Sequence, residues 1–154
     1  MDKRSIAVLA SAVALMSGCG GDEQEESLTR AVLIKRGDAI CVKANEQSKK
    51  RYDDLMRKNT SRQAAKRSFE EEGIEVGEEV LVPNAEEQAE GLSELPPPDG
   101  DEAEIEAIVE AIEAGIAKAN SDPGSFYSDE YPFDEANLLM VEYGFKVCGG
   151  GNRT

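Results

Sequence analysis

The three cysteines of this 154-residue chain, Cys19, Cys41 and Cys148, are its most informative reactive side chains, because the sequence contains no histidine. Without imidazole, the chain cannot use Ser-His-Asp or Cys-His activation of a nucleophile. The common catalytic zinc sites also need histidine. The cysteines therefore point to covalent modification or cross-linking rather than to a standard catalytic centre.

Cys19 follows a pattern that is typical of export signals. Two basic residues precede an apolar run from Ile6 to Met16, which at 11 residues is too short to span about 30 Å of hydrocarbon and fits a signal peptide. The small residues Ser17 and Gly18 then lead into Cys19. This resembles the lipobox of bacterial lipoproteins, in which the cysteine receives a diacylglycerol and a peptidase cuts before it, although Met16 replaces the usual leucine. An ordinary secretory signal cut elsewhere is the alternative.

These observations predict four regions along the chain. Residues 1–18 form the signal peptide, and residues 19–27 form the lipidated cysteine and an acidic, flexible tether. Residues 28–148 form the folded domain, and residues 149–154 form a disordered tail. Since two acyl chains give stable attachment, we expect the domain to stand on the extracytoplasmic face of the cell membrane.

Charge is distributed unevenly along the chain, whose net charge is −15. Residues 27–68 contain 12 basic and 4 acidic residues, whereas residues 69–148 contain 2 basic and 23 acidic residues. This asymmetry predicts pairing between the two parts within the fold. We expect no nucleic-acid partner, because the acidic excess opposes one and Tyr52 is the one aromatic residue within the basic part.

The first of four amphipathic helical segments is predicted to run from about Thr29 to Lys58. Thr29 is a suitable cap for its start. Apolar and small residues recur at spacings of three and four, and they place Cys41 on the buried stripe beside Ile40 and Ala44.

The second segment is less regular. Gly73 and Gly77 each weaken a helix by roughly 1 kcal/mol relative to alanine, so we expect the helix to resume near Glu78. Pro83 either occupies its first turn or kinks a longer helix. The apolar face of the resumed helix is predicted to consist of Leu81, Ala85, Gln88, Leu92 and Leu95.

The third and fourth segments complete the predicted fold. "DEAEIEAIVEAIEAGIAKANSDP" carries a continuous apolar stripe, with Asp101 and Glu104 at capping-box spacing. A short helix follows, with Pro132 in its first turn and Gly144 just after its end. The predicted fold class is all-α, an antiparallel bundle of about four helices with a disulfide.

Cys41 and Cys148 remain as a pair after lipidation of Cys19. Outside the membrane such a pair usually forms a disulfide. Cys41 lies on an apolar stripe with no evident group that would stabilise a thiolate. The alternative is two free thiols with a redox role, although no CxxC spacing is present.

Two further stretches are candidate binding sites. The four aromatic residues of "SDPGSFYSDEYPF", Phe126, Tyr127, Tyr131 and Phe133, form a candidate binding surface, or else belong to a loop that packs over the bundle. The carboxylates between Asp99 and Glu106 do not fit the spacing of a calcium loop. We therefore predict no metal site and no cofactor.

The stretches "LTRAVLIKRGDAICVKAN" and "PFDEANLLMVEYGFKVCG" resemble a group of small predicted actinobacterial lipoproteins, in which "DAIC" and a closing "YG-x-x-x-C-G" recur in this order. The resemblance implies a lipid-anchored, exported helical domain with two cysteines, and it brings no established activity with it.

The predicted function is a binding or structural module of the cell envelope that contacts a protein, a wall polymer or a small ligand. The alternative is an enzyme that acts on cell-wall polysaccharide through two carboxylates. A transporter's solute-binding lipoprotein would need two domains, whereas this chain has the length of one.

Overall fold

The computed structural model describes residues 28–59 and 68–150. These residues form α1 (Arg30–Asn59), α2 (Phe69–Val76), α3 (Val82–Ser93), α4 (Glu102–Ser121) and α5 (Asp134–Tyr143). A π-helical turn (Gly77–Leu81) joins α2 to α3, and 3-10 turns occupy Pro123–Tyr127 and Cys148–Gly150. Since α2, the π turn and α3 are continuous, the described chain has four helical segments and no strand, which confirms the predicted all-α class.

The predicted signal peptide, Cys19 and the tether lie outside the described residues, as do residues 151–154. No helix in the two described ranges combines the length and the apolar character that crossing a membrane requires. The predicted tail begins at Gly149, but Gly149 belongs to the last 3-10 turn and packs against α5. A Cβ atom at Gly149 would lie 2.7 Å from the carbonyl oxygen of Asn137.

The start of α1 agrees with the prediction to within one residue. The carbonyl of Thr29 accepts hydrogen bonds from the amides of Val32 and Leu33, and its Oγ1 lies 3.4 Å from the amide nitrogen of Val32. This places Thr29 at the N-cap, where a side-chain oxygen satisfies an otherwise unpaired amide. The buried residues of α1 are Leu33, Gly37, Cys41, Ala44 and Leu55.

The core lies where α4 packs against α3 on one side and α5 on the other. The apolar stripe predicted for α4 is buried at Ile105, Ile108, Ile112 and Ala119 and half-buried at Val109 and Ile116. Each fully buried aliphatic side chain contributes about 1.5–3 kcal/mol of hydrophobic stabilisation. The residues that complete this core are Leu33, Cys41, Ala89, Leu92, Ala111, Ala136, Met140, Tyr143, Phe145 and Cys148.

The second segment differs from the prediction, because the helix does not break at Gly73 or Gly77. The amide of Val82 bonds to the carbonyl of Gly77, the wider spacing of a π turn. Pro83 is the second residue of α3, and the absence of an amide hydrogen on proline explains a disturbed helix just before it. Pro83 therefore lies inside a continuous helical run rather than at a fresh start.

The end of the chain is held on α1 by a carboxylate. Asp38 accepts backbone hydrogen bonds from Lys146 (3.0 and 3.1 Å), Val147 (2.8 Å) and Cys148 (3.4 Å). Consecutive amides at the end of a helical domain would otherwise lack partners, and a charged acceptor makes stronger bonds than a neutral one. Gly144, with φ of +115°, reverses the chain after α5 so that these amides reach Asp38.

The ring of Phe145 and a disulfide complete the attachment of the chain end to α1. We call this attachment the C-terminal clamp. It consists of Gly37, Asp38 and Cys41 on α1 together with residues 144–149. Phe145 is buried over Gly37, where a Cβ atom would lie 2.4 Å from its ring. Cys41 and Cys148 are joined by a disulfide with a Cα–Cα distance of 5.4 Å, which confirms the predicted pairing.

We expect loss of the disulfide to destabilise the domain without abolishing helix formation. The bond closes a loop with a sequence separation of 107, and removal of a native disulfide from a small domain typically costs about 2–5 kcal/mol. Urea unfolding of the Cys41→Ser/Cys148→Ser protein, followed by circular dichroism, measures this loss. An unfolding free energy equal to that of the wild type would contradict it.

Candidate functional site

A cleft of about 410 Å³ lies between the α1/α3 pair and α5. Its volume falls within the roughly 300–1,000 Å³ that small-molecule sites occupy. Its floor is apolar and its walls carry several amide side chains. The lining residues are Asn45, Leu81, Asn84, Ala85, Gln88, Ile112, Tyr131, Phe133, Asp134, Ala136, Asn137, Met140, Val147, Gly149 and Gly150.

Three of the amides form a chain along one wall. Asn84 Nδ2 donates to Asn45 Oδ1 (3.2 Å), and Gln88 Nε2 donates to Asn84 Oδ1 (3.1 Å). Gln88 Oε1 lies 3.4 Å from Sγ of Cys41, a contact without a donor, because a disulfide sulfur carries no hydrogen. An amide nitrogen carries two hydrogens, and each bond uses one. Asn84 and Gln88, which both line the cleft, therefore each have a second N–H that these two bonds do not use.

Different elements position the walls. Asn84 and Gln88 are one helical turn apart on α3, so their side chains stack on the same face. Asn137 projects from α5 on the opposite side, and the C-terminal clamp places Gly149 at the rim. The cleft is therefore built from elements that the clamp and the core hold in place.

The four predicted aromatic residues do not form one surface. Phe126, Tyr131 and Phe133 cluster, with ring centroids 5.8–6.4 Å apart. Phe133 is buried, Phe126 and Tyr131 are half-buried, and both Tyr131 and Phe133 line the cleft. Tyr127 lies apart and packs edge-on against Phe69 at 5.9 Å. The structure therefore brings two of the four to the candidate site.

Several of these rings lie over helical glycines. A Cβ atom would lie 0.9 Å from the hydroxyl oxygen of Tyr127 at Gly73 and 2.3 Å from the ring of Phe126 at Gly77. The Tyr127 hydroxyl also donates to the carbonyl of Phe69 (3.2 Å). These contacts offset the low helix propensity of the glycines, which explains why the predicted break is absent.

Asp101 has a different role from the predicted helix cap. It occupies the N-cap position of α4, but its side chain makes no cap hydrogen bond. Instead it accepts two hydrogen bonds from Arg30 (2.7 and 2.9 Å) and one from the Tyr143 hydroxyl (2.8 Å). Arg30 also bonds to Glu104 (2.6 Å) and lies 4.5 Å from the centre of the Tyr143 ring. The group ties the starts of α1 and α4 to the end of α5.

The pKa values of this group reflect its hydrogen bonds. The bonds from Arg30, and then the bond from Tyr143, hold the pKa of Asp101 below its ordinary value. Burial, and then the bond to Asp101, raise the pKa of Tyr143 above its ordinary value. Since the carboxylate of Asp101 is held by two fixed donors, this arrangement is suited to holding helices together rather than to proton transfer.

The carboxylates do not form a catalytic pair in the cleft. A glycosidase of the common type needs two carboxyl groups about 5–10 Å apart across the scissile bond. Among the described lining residues, Asp134 is the single carboxylate. In the same described ranges, no group of three or more acidic or cysteine side chains is arranged to hold a metal ion.

Sequence reasoning did not identify the amides of the cleft. Gln88 was the available signal, because it is a polar residue on an otherwise apolar face. Asn45, Asn84 and Asn137 carried no such signal, since asparagine is common on exposed helix faces. Their convergence depends on how α1, α3 and α5 pack.

Comparison with protein-family models, with curated protein sequences and with solved structures found no match for this chain.

The contact between Tyr127 and Gly73 predicts that replacing this glycine with alanine destabilises the protein, whereas the same change in most helices stabilises it. Alanine for glycine in a helix usually stabilises by about 1 kcal/mol. Here Gly73→Ala should lower the free energy of unfolding by about 1–3 kcal/mol, because the methyl group displaces Tyr127. In a Tyr127→Ala background the same change should stabilise the protein. Urea unfolding of the four proteins measures both effects, and the same sign in both backgrounds would contradict the packing.

The hydrogen bonds of Asp101 predict that its contribution to the stability of the fold depends on pH. Because its pKa is depressed in the fold, Asp101 stabilises the fold fully above the unfolded value, near 3.8, and loses this contribution as the pH falls through the lower folded value. The stability difference between wild type and Asp101→Asn should therefore be constant near neutral pH and shrink below about pH 4. Asp99→Asn, a substitution at an exposed neighbour, is the control, and urea unfolding across this pH range measures the difference.

Proposed function

We propose that this chain is an exported lipoprotein whose Cys19 carries a diacylglycerol. Its helical domain stands on the extracytoplasmic face of the cell membrane. There it acts as a binding or structural module for an envelope protein, a wall polymer or a small ligand.

The disulfide is the observation that carries this proposal. Disulfides persist in oxidising compartments and are rare in the cytosol. The bond joins Cys41 to Cys148, and both residues are almost fully buried. Since the chain has three cysteines, Cys19 is the one that remains for modification. The sequence before Cys19 supports the same location outside the cytosol, because it has a charged start, a short apolar run and two small residues.

The resemblance to small actinobacterial lipoproteins also supports an exported, lipid-anchored protein. The "DAIC" stretch contains Asp38 and Cys41, and the "YG-x-x-x-C-G" stretch contains Gly144 and Cys148. Both stretches meet in the C-terminal clamp. The recurring residues are therefore accounted for by the fold, and a binding role is supported separately by the cleft.

Replacing Cys19 with serine tests the proposal. We expect the variant to be released into the medium or to keep its uncleaved signal, because the acyl anchor cannot form. Membrane fractionation and intact mass measure this outcome. Ser27→Ala, a small change in the predicted tether, is the matched control, since it leaves both Cys19 and the disulfide in place. A Cys19→Ser protein that stays membrane-bound with normal processing would overturn the lipoprotein assignment.

A further inference from the structure

We infer that the cleft binds an uncharged saccharide, an inference that rests on the proposed function because it names the ligand of the binding module. It is carried by the amide side chains that converge on the cleft beside two aromatic rings.

The polar groups of the cleft match the chemistry of hydroxyl groups. A sugar hydroxyl both donates and accepts, and a primary amide does the same. The remaining N–H groups of Asn84 and Gln88 are available on one wall, and Asn137 supplies a further amide on the other. Such a set favours a ligand that presents several hydroxyl or acetamido groups.

The charge of the cleft favours a neutral ligand. No lysine or arginine is among its described lining residues, so an anion would find no charged partner. The surrounding part of the chain, residues 69–148, contains 23 acidic and 2 basic residues, which also opposes an anion. A divalent cation would need several oxygen ligands with more charge than Asp134 supplies.

The shape of the cleft suits a ring with two apolar faces. Tyr131 and Phe133 pack edge-to-face, with centroids 5.8 Å apart, and provide an aromatic wall. Ile112 and Met140 contribute to an apolar floor against which sugar C–H groups can pack. Because Gln88 is hydrogen-bonded to Asn84 and Asn84 to Asn45, the polar wall is held before a ligand arrives, which favours binding.

Calorimetric titration of the full chain, in a sugar-free nonionic detergent, tests the inference. The probes are maltose and N,N′-diacetylchitobiose, with digalacturonic acid as the charged counterpart. We expect at least one neutral disaccharide to bind and the acid to bind more weakly. Gln88→Met keeps the side-chain volume but removes the amide, so it should weaken binding about tenfold.

Gln47→Met is the matched control, because Gln47 lies in a different groove between α1 and α3. It should leave the affinity unchanged. If Gln88→Met does not fold, Asn84→Ala is measured in its place and should also weaken binding.

The outcomes test the saccharide inference separately from the lipoprotein proposal. If neither neutral disaccharide binds while Cys19 proves to be lipidated, the saccharide inference fails and the lipoprotein proposal stands. Equal or tighter binding of the acid, or loss of affinity in Gln47→Met but not in Gln88→Met, also overturns the inference. Binding that depends on Gln88 supports it even if the Cys19 test fails.

Discussion

Docking of residues 144–149 onto α1 is the interaction on which the rest of the structure depends. The final helix, α5, has 10 residues, and helices shorter than about 12–15 residues are marginal alone. It is nevertheless part of the core through Ala136 and Met140, and it forms one wall of the cleft. Asp38 and the disulfide fix the segment that follows α5, and so they fix α5 itself.

Oppositely charged side chains also join elements that are distant in sequence. Arg30 on α1 pairs with Asp101 and Glu104, and Arg51 on α1 pairs with Glu87 on α3. These contacts confirm that the basic part of the chain pairs with the acidic part. The pair of Arg30 with Glu104 is exposed, and exposed pairs contribute little stability.

Periodicity was sufficient to predict the parts of the fold that depend on local pattern. The stripe of α4 and the burial of Cys41 follow from spacing, and the cap at Thr29 follows from the residue type. The continuity of the helix through Gly77 could not be predicted, because it depends on a ring that comes from nearly 50 positions later in the chain.

The candidate site was less predictable for a similar reason. Asp101 has the spacing of a capping residue, yet a distant arginine and tyrosine bind its carboxylate instead. Local capping competes with such partners, and spacing does not reveal which contact prevails. The amides of the cleft come from three helices, so no single stretch of sequence contains the site. A polar residue on an otherwise apolar helix face, such as Gln88, is the feature of the local sequence that indicates such a site.

The disulfide also makes the stretch from Cys41 to Cys148 a covalent ring. A single proteolytic cut anywhere in this ring opens it but separates no fragment, because both ends stay joined through the two sulfurs. A cut on the N-terminal side of Cys41 has the opposite effect and detaches the whole ring in one piece. Release of the covalent ring and cleavage within it are therefore distinct events, and they are governed by different stretches of the chain.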